Sequence, residues 1–181
     1  LTWVQSPGNL GSEHVIANCS FGDTLSNIYE TAIDDLEAEG VAVFAASGNQ
    51  DWDLGTADDF YPAEALDYSA VGACNLRAER LHFSNYGART TLHALGWHVP
   101  SARPGGGYGY VTGTSFSCPV AAACYGTWAA SRTAPRSKAE LDALLAEYVT
   151  DFCRPGTIRA RPYDSADPSL MRLARADGSP V

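Results

Sequence analysis

The chain has 181 residues and an apolar fraction of 45%, enough for one domain of ordinary size with a substantial core. Its formal net charge is −9, and no basic cluster offsets the acidic residues, so nucleic acid and anionic membrane surfaces are poor partners. No apolar run reaches the roughly 18 residues of a membrane span.

The first part of the chain reads as a strand, a helix and a second strand. The segment Val15–Phe21 is apolar and β-branched at its start, and it ends at the turn signal of Gly22. Residues 26–40 carry apolar side chains at helical spacing, and Val41–Ala46 is a wholly apolar strand. Because both strands are almost continuously apolar, we expect a parallel sheet that is covered on both faces.

The later elements are shorter. Strands are predicted at about Ser69–Cys74, Leu81–Ser84 and Thr91–Leu95, and the glycine-rich stretch Pro104–Tyr110 predicts a hairpin or a close-approach loop. Two helices should follow, one ending at about Ser131 and one over Ser137–Val149. Residues 1–150 are then one domain, and residues 151–181 are an irregular C-terminal extension without steady period.

Three polar segments come at the ends of these elements. They are "CSFG" after the first strand, "ASGNQ" after the second, and "GTSFSCP" before the long helix. In α/β sheets, ligands and chemistry collect at the carboxyl ends of parallel strands. Each segment alone is more typical of a turn or a helix cap, but together they favour a catalytic site.

Acyl-transfer chemistry needs a nucleophile, a base and donors for the developing oxyanion. Ser115 at a helix N-terminus has unsatisfied backbone N–H groups beside it. The side-chain amide of Asn49, on a tight loop after a strand, is a suitable second donor because it carries no charge. An α/β-hydrolase is disfavoured, since its nucleophile turn needs glycine where Ser117 stands.

In order, the chain contains "HVIANCSFG", "GVAVFAASGN", "FYPA", "SAVGACN", "HFSNYG", "LHALG" and "GYVTGTSFSCPVAAA". Through these segments, over about residues 14–131, it resembles the C-terminal part of the catalytic domain of a subtilisin-like serine protease, a subtilase. The G-T-S-x-x-x-P motif that ends at Pro119 is the most specific piece. The resemblance implies a three-layer α/β domain with a mostly parallel central sheet, whose N-terminal portion is missing from this chain.

The resemblance also assigns roles to single residues. Ser115 would be the nucleophile and Asn49 the oxyanion donor of a serine endopeptidase. Around them it implies a set of substrate-binding residues: Ser20, Phe21 and Gly22 as an added-strand partner for the substrate, Ala46, Ser47 and Gly48 as one wall of the pocket for the residue before the scissile bond, and Thr114 beside the nucleophile. The "FYPA" segment would lie beside that pocket.

The family's triad Asp and His precede everything matched here, and this chain has neither. The histidines do not follow the family's H-G-x-H pattern, so we interpret them as structural or surface residues: His14, His82, His93 and His98. We therefore expect an N-terminal subtilase chain or segment to supply Asp and His. The alternative is a truncated or degenerate subtilase that binds peptides without cutting them.

Other expectations are weaker. The first residue, Leu1, favours a processed or cut chain, and the resemblance favours a secreted or extracytoplasmic protein. The scattered cysteines favour buried structural thiols over disulfides. No cofactor or metal is expected; the acidic loop Asp51–Asp59 could hold calcium, although a solvated loop is favoured because it lacks ordered ligand spacing.

Overall fold

A computed structural model describes residues 13–24, 27–55 and 60–152 of the chain. The predicted extension over residues 151–181 falls almost wholly outside them. The elements in chain order are β1 (Ile16–Cys19), α1 (Asn27–Ala38), β2 (Ala42–Ala46), a 3-10 turn (Ala63–Ala65), β3 (Ala70–Cys74), β4 (Leu92–Leu95), β5 (Val99–Ala102), β6 (Tyr108–Val111), α2 (Thr114–Ala129) and α3 (Lys138–Phe152).

The central sheet has the order β1-β2-β3-β4, and all neighbouring pairs in it are parallel. Every residue of β2 and β3 is buried, as continuous apolar strands predict. β1, one of the two edge strands, is only partly buried, whereas β4 at the other edge is mostly buried. This confirms the predicted α/β fold with a parallel sheet.

The two faces of the sheet are covered by different helices. One apolar cluster joins Phe44 and Leu92 of the sheet to Tyr125 of α2 and Leu145 of α3. The other joins alternate residues of β2 to Ile33 and Leu36 of α1. Helix–sheet–helix layering follows, and α2, whose residues are mostly small, contacts all four strands.

α1 and α3 are also joined by a charged contact. The carboxylate of Glu37, which is buried, accepts a hydrogen bond from Lys138 Nζ at 2.7 Å. Burial raises the pKa of Glu37, while the bond to Lys138 opposes that rise. Asp142 binds the same ammonium group at 3.2 Å, so the buried carboxylate has a compensating charge.

The strand predicted at Leu81–Ser84 is wrong: the chain turns there. Leu81 donates its N–H to the Ala73 carbonyl at 3.0 Å, and Ser84 N–H then turns back to Leu81 at 2.9 Å. The Ser84 hydroxyl accepts the Ala73 N–H at 2.9 Å and donates to the Asn85 carbonyl at 3.1 Å. The polar groups of Ser84 are thus satisfied by loop contacts, and Ser84 is buried without belonging to a strand.

The glycine-rich stretch forms a hairpin, one of the two predicted alternatives. β5 and β6 are antiparallel, and Gly105, Gly106 and Gly107 take positive φ values at the turn between them. The base of the hairpin is closed by Gly113 N–H, which donates to the Gly96 carbonyl at 2.9 Å. The hairpin therefore leads directly into the segment that starts α2.

Candidate active site

The segments predicted to be functional meet at one end of the sheet. Ser20 follows β1, Asn49 follows β2, and α2 begins with Thr114 and Ser115. Hydrogen bonds join Ser20 to Ser115 and Asn49 to Thr114. The structure thus brings together the three sequence segments that we predicted to form a catalytic site.

Ser115 is not the cap of α2. The N-cap is Gly113, with φ of 148°, and Ser115 is the second helical residue. Phe116 N–H and Ser117 N–H both bond the Gly113 carbonyl, at 3.1 and 3.3 Å. In the described part of the chain the Ser115 N–H has no hydrogen-bond partner, so a backbone donor stays open beside the hydroxyl.

The side chain of Asn49 caps the N-terminus of α2, because the N-cap residue Gly113 has no side chain. Its Oδ1 accepts the Thr114 N–H at 2.9 Å and the Thr114 hydroxyl at 3.1 Å. A backbone N–H can only donate, so the atom facing it must be the amide oxygen. The NH₂ of Asn49 is left as a donor, and the residue is exposed. Thr114 is fully buried, and its two hydrogen bonds fix the position of the Asn49 side chain.

Ser20 and Ser115 make two reciprocal hydrogen bonds. The Ser20 hydroxyl donates to the Ser115 carbonyl at 2.8 Å, and the Ser115 hydroxyl donates to the Ser20 carbonyl at 3.1 Å. The first bond has a clear cause. Pro119 lies in the second turn of α2, and it lacks the N–H that would bond the Ser115 carbonyl. Ser20 supplies the missing donor.

The histidines are structural or exposed, as expected. His14 Nε2 lies 3.1 Å from the Arg132 carbonyl, His82 and His98 are exposed, and His93 is buried on β4. Burial, with the charge of Arg80, lowers the pKa of His93 to about 3. Within the described residues, the hydrogen-bond acceptor for the Ser115 hydroxyl is a carbonyl and not a base.

The two predicted substrate-binding segments differ in exposure. Phe21 and Gly22 are exposed, and their backbone groups have no partner in the described part of the chain, which suits pairing with an added strand. Ala46, Ser47 and Gly48 are buried. The predicted wall is therefore covered in this structure, and the ring of Phe60 lies against it.

Sequence analysis missed Asn85, which is fully buried and holds the loop of Asn49. Its Oδ1 accepts the N–H groups of Gln50 and Trp52 at 2.9 and 3.0 Å, and its Nδ2 donates to the Ser47 carbonyl at 2.7 Å and to Gln50 Oε1 at 3.2 Å. Gln50 Oε1 also accepts the Asn49 N–H at 2.7 Å. The residue lies in the "HFSNYG" segment, where the incorrect strand prediction ended just before it.

Metal and thiol chemistry find little support in the described part of the chain. Residues 13–24, 27–55 and 60–152 contain no group of three or more His, Cys, Asp or Glu side chains placed to hold a metal. Asp51 pairs with Arg80 at 2.7 Å, and residues 56–59 of the acidic loop fall outside the description, so calcium binding stays a prediction. The four cysteines within the described residues are free, and burial raises the pKa of Cys74 and Cys118 to about 12. None of the described helices is long and apolar enough to cross a bilayer.

Comparisons with known proteins find subtilisin-like proteases, both by sequence and by fold. Alkaline elastase YaB of Bacillus sp. (strain YaB) is 40% identical over 105 residues, which are 58% of this chain and 27% of that protein. Subtilisin Savinase of Lederbergia lenta is 38% identical over 120 residues, 66% of this chain and 41% of that one. The crystal structure of a cold adapted subtilisin-like serine proteinase superposes with a TM-score of 0.74 at 22% identity, covering 97% of this chain and 58% of that one, and shares the fold.

The chain therefore spans less than half the length of the curated relatives named here. The sequence model of the subtilase family matches residues 8–151, which include both β1 and the segment that starts α2. The chain belongs to the subtilase family.

Proposed function

We propose that this chain is the nucleophile-bearing part of a subtilisin-like serine endopeptidase. The observation that carries the proposal is the pairing of Asn49 with Thr114. It uses the Asn49 oxygen and leaves the Asn49 NH₂ as a donor at the start of α2, where the Ser115 N–H also has no hydrogen-bond partner within the described residues. Two such donors are what a tetrahedral oxyanion requires.

In the proposed reaction the Ser115 hydroxyl attacks the scissile carbonyl and forms an acyl-enzyme, which water then hydrolyses. A histidine takes the hydroxyl proton and later gives it to the leaving amine, and an aspartate orients that histidine. Both residues come from outside this chain, from an upstream segment or a partner polypeptide. The isolated chain is then inactive.

The position of the missing base is restricted by what already surrounds Ser115. The end of β2 occupies one side, through Asn49 and Thr114, and Ser20 at the end of β1 occupies another. β1 is the edge strand on this side of the described sheet. We therefore place the histidine on a segment that lies beyond β1, on the open side.

Arrival of that base has a second effect on the site. The Ser115 hydroxyl now donates to the Ser20 carbonyl. Once the hydroxyl turns to a histidine, the carbonyl becomes an unpaired acceptor at the start of the open segment Ser20–Gly22. It can then accept a substrate N–H in the added-strand mode.

Covalent labelling tests the proposal. The polypeptide or complex that contains this chain together with an N-terminal subtilase segment should react with a fluorophosphonate probe at Ser115, and Ser115→Ala should abolish the labelling. Ser117→Ala is the matched control, because its hydroxyl only bonds the Thr114 carbonyl inside α2. Labelling that persists in Ser115→Ala would contradict the nucleophile assignment.

One observation favours a second candidate, a peptide-binding module without catalysis. The Ser115 hydroxyl is bonded to a carbonyl that cannot accept its proton. On this hypothesis the exposed segment at Phe21 and Gly22 still pairs with peptides. Failure of the probe to label Ser115 in the presence of every native partner, with peptide binding retained, would select it. A location outside the cytoplasm remains a prediction from family resemblance under either hypothesis.

A further inference from the structure

The aromatic ring of Phe60 lies between two glycines that each follow a strand. A Cβ atom added to Gly22, after β1, would overlap Phe60 Cε1 and Cζ. One added to Gly48, after β2, would lie 3.1 Å from Phe60 Cδ1. Because β1 and β2 are neighbours in the sheet, a single ring fills the gap between the segments that continue them.

The ring is held in that gap from both sides. Its neighbour Tyr61 forms an antiparallel bridge with Asp23, with N–H to carbonyl distances of 2.7 and 2.8 Å. The Phe60 carbonyl accepts the Glu64 N–H at 3.1 Å. The residue is 8% exposed and belongs to the apolar cluster on the α1 face of the sheet. Moving the ring out would expose apolar surface to water.

The position of the gap gives it a functional meaning that rests on the proposed function. Under that proposal the substrate backbone pairs along Ser20–Gly22, and the side chain before the scissile bond points between this segment and the wall Ala46–Gly48. The wall residues Ala46–Gly48 are buried, although the next residue, Asn49, is exposed. The space between the two segments is occupied by Phe60.

We infer that Phe60 is the specificity-determining residue of this site, and that the substrates are polypeptides with glycine or alanine immediately before the scissile bond. A larger side chain would have to displace a packed ring. A pocket that already contains the Phe60 ring accepts only substrate side chains that do not extend into it, as with glycine and alanine. Removing ring volume should therefore admit larger residues.

Matched peptide substrates test the inference in the assembled protease. Two peptides that differ only in alanine or phenylalanine before the scissile bond should differ in kcat/KM by about tenfold or more in favour of alanine, since pocket fit of even one methylene discriminates by about 10- to 200-fold. Phe60→Leu keeps an apolar core residue and should shrink this ratio toward unity. Equal or faster cleavage of the phenylalanine peptide by the unmodified enzyme would overturn the inference.

A matched substitution separates pocket volume from general loosening. Phe44 is also buried, on the opposite face of the sheet against Tyr125. Phe44→Leu removes the same volume from the core and should leave the alanine-to-phenylalanine ratio unchanged. A ratio that changes equally in both variants would overturn the assignment to Phe60.

Peptide binding distinguishes failure of this inference from failure of the proposed function. If neither substrate is cut, the proposed catalysis fails, and the same protein is titrated with product-like peptides that end in alanine or phenylalanine. NMR shifts of the Gly22 and Gly48 amides should saturate with the alanine peptide at lower concentration. Equal affinity, or no shift with either peptide, would overturn the inference about Phe60.

Discussion

The side-chain oxygen of Asn49 accepts both the backbone N–H and the hydroxyl of Thr114, at 2.9 and 3.1 Å. One amide group therefore has two separable functions. Its oxygen completes the N-terminus of α2, a role that Gly113 cannot fill without a side chain. Its NH₂ is the donor that the proposed mechanism assigns to the oxyanion.

Two substitutions at Asn49 should separate these functions. Asn49→Asp keeps an acceptor for Thr114 but removes the NH₂, so we expect near-native stability and a kcat lower by about 10² to 10³. Asn49→Ala should show a similar loss of kcat and also lower the free energy of unfolding by about 1 kcal/mol, because the cap is lost. Urea unfolding and initial rates in the assembled protease measure both. Native turnover in Asn49→Asp would contradict the oxyanion assignment.

The bond from Ser20 to the Ser115 carbonyl should depend on Pro119. Ser20→Ala leaves that carbonyl without a donor, and we expect a loss of about 1 kcal/mol in the free energy of unfolding. In a Pro119→Ala background the new N–H can bond the carbonyl within α2, so Ser20→Ala should cost little. A double-mutant cycle followed by thermal unfolding measures this coupling. Additive effects would show that Ser20 does not substitute for the absent N–H.

Asn85 should affect turnover through Asn49. Asn85→Ala removes four hydrogen bonds from the loop that carries Asn49. We expect kcat to fall by about 10- to 100-fold from misplacement of the donor. The loss should vanish in an Asn49→Ala background, because the donor is already absent.

Ser69→Ala is a suitable control for that cycle. Ser69 is buried and its hydroxyl donates to the Val43 carbonyl at 2.5 Å, on β2 but away from the loop. It should lower the melting temperature without changing kcat. Should Asn85→Ala reduce kcat equally with and without Asn49, the residue would be structural only.

His93 should make the fold less stable in acid. Its pKa is lowered to about 3 by burial, with Arg80 as the nearby charge, against about 6.5 in the unfolded chain. Between these values the unfolded state binds the proton more strongly, so the free energy of unfolding falls as pH falls, by at most about 1.4 kcal/mol per pH unit. His93→Met should flatten this dependence between about pH 6.5 and 3 in pH-dependent denaturant melts. The exposed His82 is the control, and an unchanged slope in His93→Met would contradict the assignment.

The elements that sequence predicted well are those whose pattern is local. β2 and β3 are continuous apolar runs, and both were found at nearly the expected bounds. β1 ends at Cys19, two residues earlier than predicted, because Ser20 and Phe21 leave the ladder to meet α2 and solvent. Functional residues collect at the carboxyl ends of parallel strands, and this rule predicted that Asn49 and Ser115 lie close together although their contacts were unknown.

The features that sequence did not predict depend on distant partners. Asn85 bonds residues 33 to 38 positions earlier in the chain, and nothing in its own segment marks it as more than a turn residue. Phe60 was only part of a segment expected beside the pocket. Its meeting with Gly22 and Gly48 depends on how two loops return to the strand ends. Such contacts come from tertiary packing and leave no periodic signal.

The position of β1 at the sheet edge links assembly to activity. A polypeptide that adds a strand there would satisfy the outer backbone groups of Ile16–Cys19 and come within reach of Ser115 by the same contact. Binding of that polypeptide, stabilisation of the fold and activation of Ser115 would then all depend on the same binding equilibrium. The rate of probe labelling, plotted against the concentration of the completing segment, should rise as a simple saturation curve whose midpoint equals the dissociation constant obtained from the logarithmic gain in stability. The dissociation constant of that segment would set the active fraction of the enzyme.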